Sequence, residues 1–274
     1  ACSWSNIPDE DFALADDNHW TIGQFVWTGF DYLGEPSPYD TNAWPNHSSM
    51  FGIIDLASIP KDRYYLYRSV WNKNAETLHV LPHWTWPGRE GKVTPVFVYT
   101  NHPTAELFIN GKSYGKQSKN NSSLKNRYRL MWMDAVYEPG EIKVVAYNKD
   151  GKAVAEKIVR TAGKPHHIEL VSNRNELIAD GKDLAYITVK VVDKDGNLCP
   201  ADSRQINFSV KGAGKYRAAA NGDPTNLEQF HLPKMHAFNG MLTAIVQSGE
   251  TAGEIVLTAK ASGVKAGNIR IQTK

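Results

Sequence analysis

The sequence predicts a mainly β protein whose N-terminal part is built differently from the rest. Three observations carry that expectation. From Val93 onward, short apolar runs are separated by tight-turn dipeptides such as Asn110-Gly111, Pro139-Gly140 and Asp150-Gly151, whose residues tolerate the positive φ that reverses a chain. Inside those runs apolar and polar residues alternate, as at Ile187, Val189 and Val191, the period of a strand buried on one face. The earlier run Ile22, Phe25, Val26 and Trp27 lacks polar alternation and suits a strand covered on both faces, as in a parallel sheet.

Taken in order, residues 1–21 are polar and acidic and read as a loop and short helix leading to the strand at 22–27, which Gly29 and then Gly34-Glu-Pro-Ser-Pro38 end. Pro60 suits the start of a helix over 61–71. There Tyr64, Tyr67 and Trp71 recur at helical spacing and mark one face. Residues 72–90 read as a linker. Strands are then expected at 93–99, 105–109, 128–132, 141–147 and 154–159, a density that argues for an antiparallel sandwich of immunoglobulin type. The composition breaks at Thr161-Ala-Gly-Lys-Pro165. Beyond it, strands at 168–171, 185–192, 205–210, 241–246 and 253–261 predict a second sandwich. The expected domains are 1–75, 76–162 and 163–274.

Composition excludes several classes. A chain of 274 residues, 41% hydrophobic and 22% charged, has ordinary globular make-up and room for about two domains. Its net charge of +2 is mild and its Lys and Arg residues are dispersed, which argues against nucleic acid as a partner. No apolar run approaches the roughly 20 residues of a membrane span, and no basic-then-apolar leader opens the chain. Cys2 and Cys199 fall in different expected modules, so a disulfide framework is not expected.

Candidate chemistry concentrates after Trp27. Asp31, Tyr32, Glu35, Tyr39 and Trp44 crowd aromatic rings and carboxylates into one loop, a combination that suits a pyranose, because rings stack on its CH face while carboxylates accept its hydroxyl protons. Glycosidases use paired carboxylates about 5 to 9 Å apart. Asp31 and Glu35 sit close together in one loop, and we read them as binding hydroxyls or fixing the loop. His79, His83, Trp84 and Trp86 are expected to pack between domains, since Pro82 and Pro87 argue against the helix that a metal-binding histidine pair would need. His166 and His167 would point to opposite faces of a strand. Asp193, Asp195 and Asn197 imitate a calcium loop, but Gly196 stands at the wrong offset, so a β-turn is expected. No metal or cofactor site is expected anywhere in the chain.

Several of these segments resemble a known family. Gly23 to Glu35, Trp44-Pro45-Asn46-His47-Ser48-Ser49, Phe51-Gly52-Ile53-Ile54-Asp55 and the run from Pro60 to Trp71 resemble the last strand, loop and helix of the (β/α)8 barrel of glycoside hydrolase family 2, most of all the β-galactosidases of gut Bacteroidetes. Glu106 to Gly115 and Pro139 to Tyr147 resemble the sandwich that follows that barrel. The last module resembles a bacterial immunoglobulin-like domain of the invasin type, with Ala220 to Glu228 similar to the version that ends these galactosidases. The resemblance implies two immunoglobulin-like sandwiches preceded by a barrel remnant, a carbohydrate partner such as a β-galactoside or a plant or host glycan, and a place in the bacterial periplasm or at the cell surface. It implies substrate-binding roles for Trp27, Asp31, Glu35, Trp44 and His47. Its catalytic glutamates lie on earlier barrel strands, expected upstream of Ala1, so none is expected here and the chain alone should be inactive. The uncovered apolar strand leaves room for a homo-oligomer. A second reading is a non-catalytic carbohydrate-binding or adhesive module built on the immunoglobulin-like domains.

Overall fold

A computed structural model describes residues 5–36 and 44–274. Cys2 and Tyr39 therefore lie outside the described residues. The chain divides into two compact units, Ala1–Gly29 with Pro60–Thr161, and Phe30–Ile59 with Ala162–Lys274.

The first unit begins with helix α1 (Pro8–Asp17), where Pro8 opens the helix and Asp9, Glu10 and Asp11 fill its first turn. Acidic side chains there complement the positive end of the helix dipole. Helix α2 (Asp62–Trp71) starts after Lys61, as Pro60 suggested. Its buried face is Leu66, Tyr67 and Ser69, while Trp71 remains 47% exposed. Phe12 of α1 packs edge-on against Tyr67 at 5.1 Å and against Tyr128 at 5.2 Å. The Asp9 carboxylate, wholly buried, pairs with the Arg129 guanidinium, and Arg127 grips Asp17 through two hydrogen bonds of 2.9 and 2.8 Å.

The sandwich of this unit follows. Strands β1 (Leu78–Leu81), β2 (Val96–Thr100), β3 (Thr104–Ile109) and β4 (Lys112–Ser118) precede the short helix α3 (Leu124–Tyr128), and β5 (Leu130–Trp132), β6 (Glu141–Tyr147) and β7 (Ala153–Arg160) complete it. One sheet has the order β1-β2-β5 and the other β4-β3-β6-β7. Strict alternation in β3 and β6 puts Leu107, Ile109, Ile142 and Val144 inside. Asn110 and Gly111, both at positive φ, turn β3 into β4 as the two-residue hairpin requires.

The second unit carries β8 (His167–Ser172), β9 (Glu176–Leu177), β10 (Leu184–Val192), β11 (Gln205–Gly212), β12 (Gly214–Ala220), β13 (Lys234–His236), β14 (Met241–Ser248), β15 (Gly253–Lys260) and β16 (Gly267–Thr273). Its sheets run β12-β14-β10-β8 and β13-β11-β15-β16-β9. Ile187 and Val189 lie beside Ala244 and Leu242 on paired strands of one sheet, and with Val191 and Val246 they join one core that also takes in Ile206, Ile255, Leu257 and Ile271.

Several expectations change. Residues 22–27 form no strand; Ile22 and Phe25 are fully exposed and Trp27 is 72% exposed. A strand needs partners for its backbone N–H and C=O groups, and the described residues supply no ladder to this run. The expected linker holds β1, short and polar at His79. The segment 128–132 begins in α3 and only then extends. Strands β4, β12 and β16 went unread because Gly, Lys and Ser or isolated apolar residues make weak strand signals. Trp84 is a core residue of the first sandwich, not an interdomain contact; its indole N–H donates to the Glu138 carbonyl at 2.9 Å. His79 stacks on Tyr65 at 3.9 Å, and His83 stacks on Trp86 at 4.1 Å. His166 precedes β8, so its ring is free of strand alternation and meets the His167 ring, with Nδ1 atoms 3.0 Å apart. Cys199 is a buried thiol, pushed up to about 11 by burial and then by the nearby Asp193 charge.

Asp193 closes the turn after β10. Burial works to raise its pKa, yet donated hydrogen bonds from the backbone of Gly163, Asp195 and Asn197 and from the Asn197 amide win, holding the carboxyl at about 2. Because its folded pKa lies below the unfolded value near 4, the stabilisation is complete above about pH 4 and is lost as pH falls toward 2. Asp193→Ala should cost about 1–3 kcal/mol at pH 7, measured by urea unfolding, with the difference from wild type shrinking between about pH 4 and pH 2.

Candidate functional site

Trp27 belongs to the first unit and the other four predicted residues to the second. Trp27 follows the exposed run, and its peptide bond to Thr28 is cis. At 72% exposure its indole presents a broad ring face, the surface that a sugar ring stacks on.

The remaining four sit on residues 30–59, an irregular segment whose backbone bonds are met one by one. The Asp31 N–H donates to the Ile54 carbonyl at 2.9 Å, beside a parallel bridge between Phe30 and Ile54. The buried Asp31 carboxylate accepts the Gly52 N–H at 2.8 Å. That spot demands glycine: a Cβ on residue 52 would stand 2.2 Å from the Asp31 nitrogen. Ser49 N–H donates to the Tyr32 carbonyl at 2.8 Å and Gly34 N–H to the His47 carbonyl at 2.9 Å. Residues 33–34 are thus held beside 47–48, which brings the stretch before Glu35 next to the stretch after Trp44.

The side chains diverge in role. Asp31 is committed through one oxygen to the loop backbone, the loop-fixing behaviour its spacing suggested. Glu35 is exposed and accepts the Tyr32 hydroxyl proton. Trp44, 70% exposed, lies 6.4 Å from the His47 ring, and His47 Nδ1 is 3.0 Å from the Pro45 carbonyl oxygen. Asp31 and Glu35 therefore engage different partners. Sequence reasoning passed over Asn46, which is 5% exposed with both amide atoms unpaired among the described residues. Its place between Trp44 and His47 was the available signal. An unpaired buried amide costs about 1–3 kcal/mol, the kind of penalty retained where a ligand or another segment completes the bonding.

The segment is anchored to the sandwich of its own unit. His47 N–H donates to the Pro224 carbonyl at 3.1 Å, and the buried Thr243 hydroxyl of β14 donates to the Ala57 carbonyl at 2.6 Å. Asp55 caps the turn by accepting from Ala57 and Ile59 N–H at 2.8 and 2.9 Å. Gly222 lies so close that a Cβ there would meet the Asp55 carboxylate at 2.1 Å.

Residues 168–270 match the family described as glycoside hydrolase family 2 C-terminal domain 5, and 91–155 match a domain of unknown function, DUF4982. The chain is 43% identical over 272 residues to the beta-galactosidase BoGH2A of Bacteroides ovatus, an alignment covering 99% of this chain and 31% of that protein. Residues 168–270 of this chain are a C-terminal domain of glycoside hydrolase family 2. A putative beta-glucuronidase of Formosa agariphila is 35% identical over 211 residues, 76% of this chain and 20% of its own length. Among solved structures, a beta-glycosidase from Bacteroides vulgatus superposes with a TM-score of 0.87 at 35% identity, covering 97% of this chain and 32% of that one. A glycosyl hydrolase family 2 member from Bacteroides cellulosilyticus gives 0.84 at 32% identity, covering 94% and 37%. The chain thus spans about a third or less of the family 2 proteins it matches.

The Thr243 anchor makes a prediction for the 30–59 segment. Thr243→Val keeps the shape but leaves the Ala57 carbonyl unpaired, so it should destabilise the segment by about 1–3 kcal/mol. Hydrogen exchange should speed up at the Ala57 and Ile59 amides while the β10 amides stay protected.

Proposed function

We propose that this chain is the C-terminal region of a retaining β-galactosidase in which residues 1–75 complete a (β/α)8 barrel, 76–162 form the first accessory sandwich and 163–274 the second. The observation that carries this reading is the exposed run Ile22, Phe25 and Trp27, at 107%, 104% and 72%. Apolar side chains of this kind are costly to leave in water, about 1.5–3 kcal/mol each, and a neighbouring barrel strand would cover Ile22 and Phe25. The length of the relatives, roughly three times that of this chain by the coverage of BoGH2A, leaves ample protein to supply that strand.

In this reading the catalytic glutamate pair resides elsewhere in the longer protein. One glutamate attacks the anomeric carbon through an oxocarbenium-like transition state while the other protonates the leaving oxygen; water then releases the sugar with the second acting as base. The present chain supplies the wall. Trp27 stacks under the galactose ring, Glu35 and the Asn46 amide offer partners to hydroxyls, and Trp44 with His47 forms the rim. Asp31 holds the loop in shape through the bond it accepts from Gly52 N–H. A periplasmic or cell-surface setting fits bacterial glycan processing, and the exposed run would equally accept a homo-oligomeric neighbour. The adhesive alternative leaves the exposed aromatic run and the buried unpaired Asn46 amide without a purpose.

The chain alone should give no detectable hydrolysis of a chromogenic β-galactoside. In the full-length protein Trp27→Ala should lower kcat/KM by about 100-fold through lost positioning. Turnover by the isolated chain that disappears in Glu35→Gln, or an unaffected Trp27→Ala enzyme, would overturn the assignment.

A further inference from the structure

We propose that a pocket in the second unit binds an acidic sugar unit of a glycan, with Arg217 as the residue that recognises its carboxylate or sulfate. The pocket is an open depression of about 620 Å³, within the range of small-ligand sites and roomy enough for one or two sugar rings. Leu33 and His47 of the 30–59 segment form one wall, and Arg217, Leu227, Phe230 and His231 of the sandwich form the other.

The position of Arg217 is a product of strand irregularity. Strand β12 is an edge of its sheet. Its pairing with β14 runs Tyr216 to Val246 and then Ala218 to Ile245, so Arg217 is an extra residue in a bulge. Bulges re-aim a side chain out of the alternation of the strand, and here Arg217 is among the residues that line the pocket. The other arginines of the unit are neutralised in place: Arg174 by Asp183, Arg204 by Asp202 and Arg270 by Glu254. Arg217 enters no ion pair among the described residues. Glu228, the carboxylate that also lines the pocket, is already engaged, accepting the His236 backbone N–H at 2.9 Å and facing His236 Nδ1 at 3.0 Å. The pocket lining therefore carries an arginine that no ion pair holds among the described residues, beside a carboxylate turned to His236, and a guanidinium matches the bidentate geometry of a carboxylate or sulfate.

The walls are set before a ligand arrives. The Phe230 carbonyl accepts the Ala219 N–H at 2.8 Å, the Tyr216 hydroxyl donates to the Leu232 carbonyl at 2.7 Å, and the Asn226 side chain accepts the Glu228 N–H at 3.0 Å. On the facing side, the bond from His47 N–H to the Pro224 carbonyl holds the other wall. Such pre-organisation lowers the ordering cost of binding. Phe230, 37% exposed, offers a ring for the CH face of a sugar, so the apolar lining and the single cation together describe a ring carrying an acidic group. The assignment rests on the glycan-processing reading, but binding by this chain and turnover by the longer protein fail independently.

Calorimetric titration of the 274-residue chain with three oligosaccharides of equal length tests it: one ending in a hexuronic acid, one in a sulfated hexose and one neutral. At least one acidic ligand should bind about tenfold or more tightly than the neutral one, the gain of a charged hydrogen-bonded pair; which of the two does so identifies the acidic group. Arg217→Gln should reduce that preference to about twofold or less, and Arg217→Lys should retain part of it because the charge survives without the fork. Phe230→Ala should weaken acidic and neutral ligands alike. Equal affinity for all three ligands, no binding of any, or an intact preference in Arg217→Gln would overturn the proposal. So would sedimentation showing a dimer that Arg217→Gln dissociates, since the pocket would then hold protein.

Discussion

An irregular segment can be held against a folded core only if its backbone polar groups find partners, and residues 30–59 depend on that constraint. Asp31 ties to Ile54 and Gly52, Tyr32 to Ser49, Gly34 to His47, and the segment then reaches the sandwich through Pro224 and Thr243. Without these bonds Trp44, Glu35 and His47 would sit on a chain free to take many shapes. With them, three exposed or half-exposed side chains acquire defined neighbours at the cost of one glycine position that admits no side chain, Gly52. The terminal sandwich is in this sense the foundation of the 30–59 segment.

The two units contrast satisfied and unsatisfied surfaces. In each sandwich, alternation delivers apolar residues to one core and the strands meet one another's backbone bonds. Residues 22–27 and Asn46 do the opposite: exposed aromatics with no ladder, and a buried amide with no partner among the described residues. A buried amide of this kind marks where a protein expects something further, whether chain or ligand.

Much of the sandwich architecture was legible residue by residue. Strand β6 falls where Glu141 to Tyr147 alternate, and the Asn110-Gly111 and Asp193–Asn197 turns appear where their residue types required them. Strands β12 and β16 were not legible, since Gly214-Lys-Tyr-Arg-Ala-Ala-Ala220 carries no alternation and owes its extended form to the pairing offered by β14. The candidate loop was legible in composition and only partly in role. Asp31 read as sugar-binding or loop-fixing, and the structure commits one of its oxygens to Gly52. Asn46 was overlooked because its significance lies in burial, which no local pattern announces.

The sequence by itself determined the mainly β character, the turn positions, the helix after Pro60 and the aromatic-carboxylate loop, because each follows from local conformational preference or from a side chain's own chemistry. The tertiary structure alone decided that Trp84 lies in a sandwich core, that 22–27 stays open, that His166 meets His167, and that Arg217 faces a pocket. These depend on which segments are distant in the chain and adjacent in space, and a hydrogen-bond ladder, a bulge or a burial exists only once a second segment is there to define it.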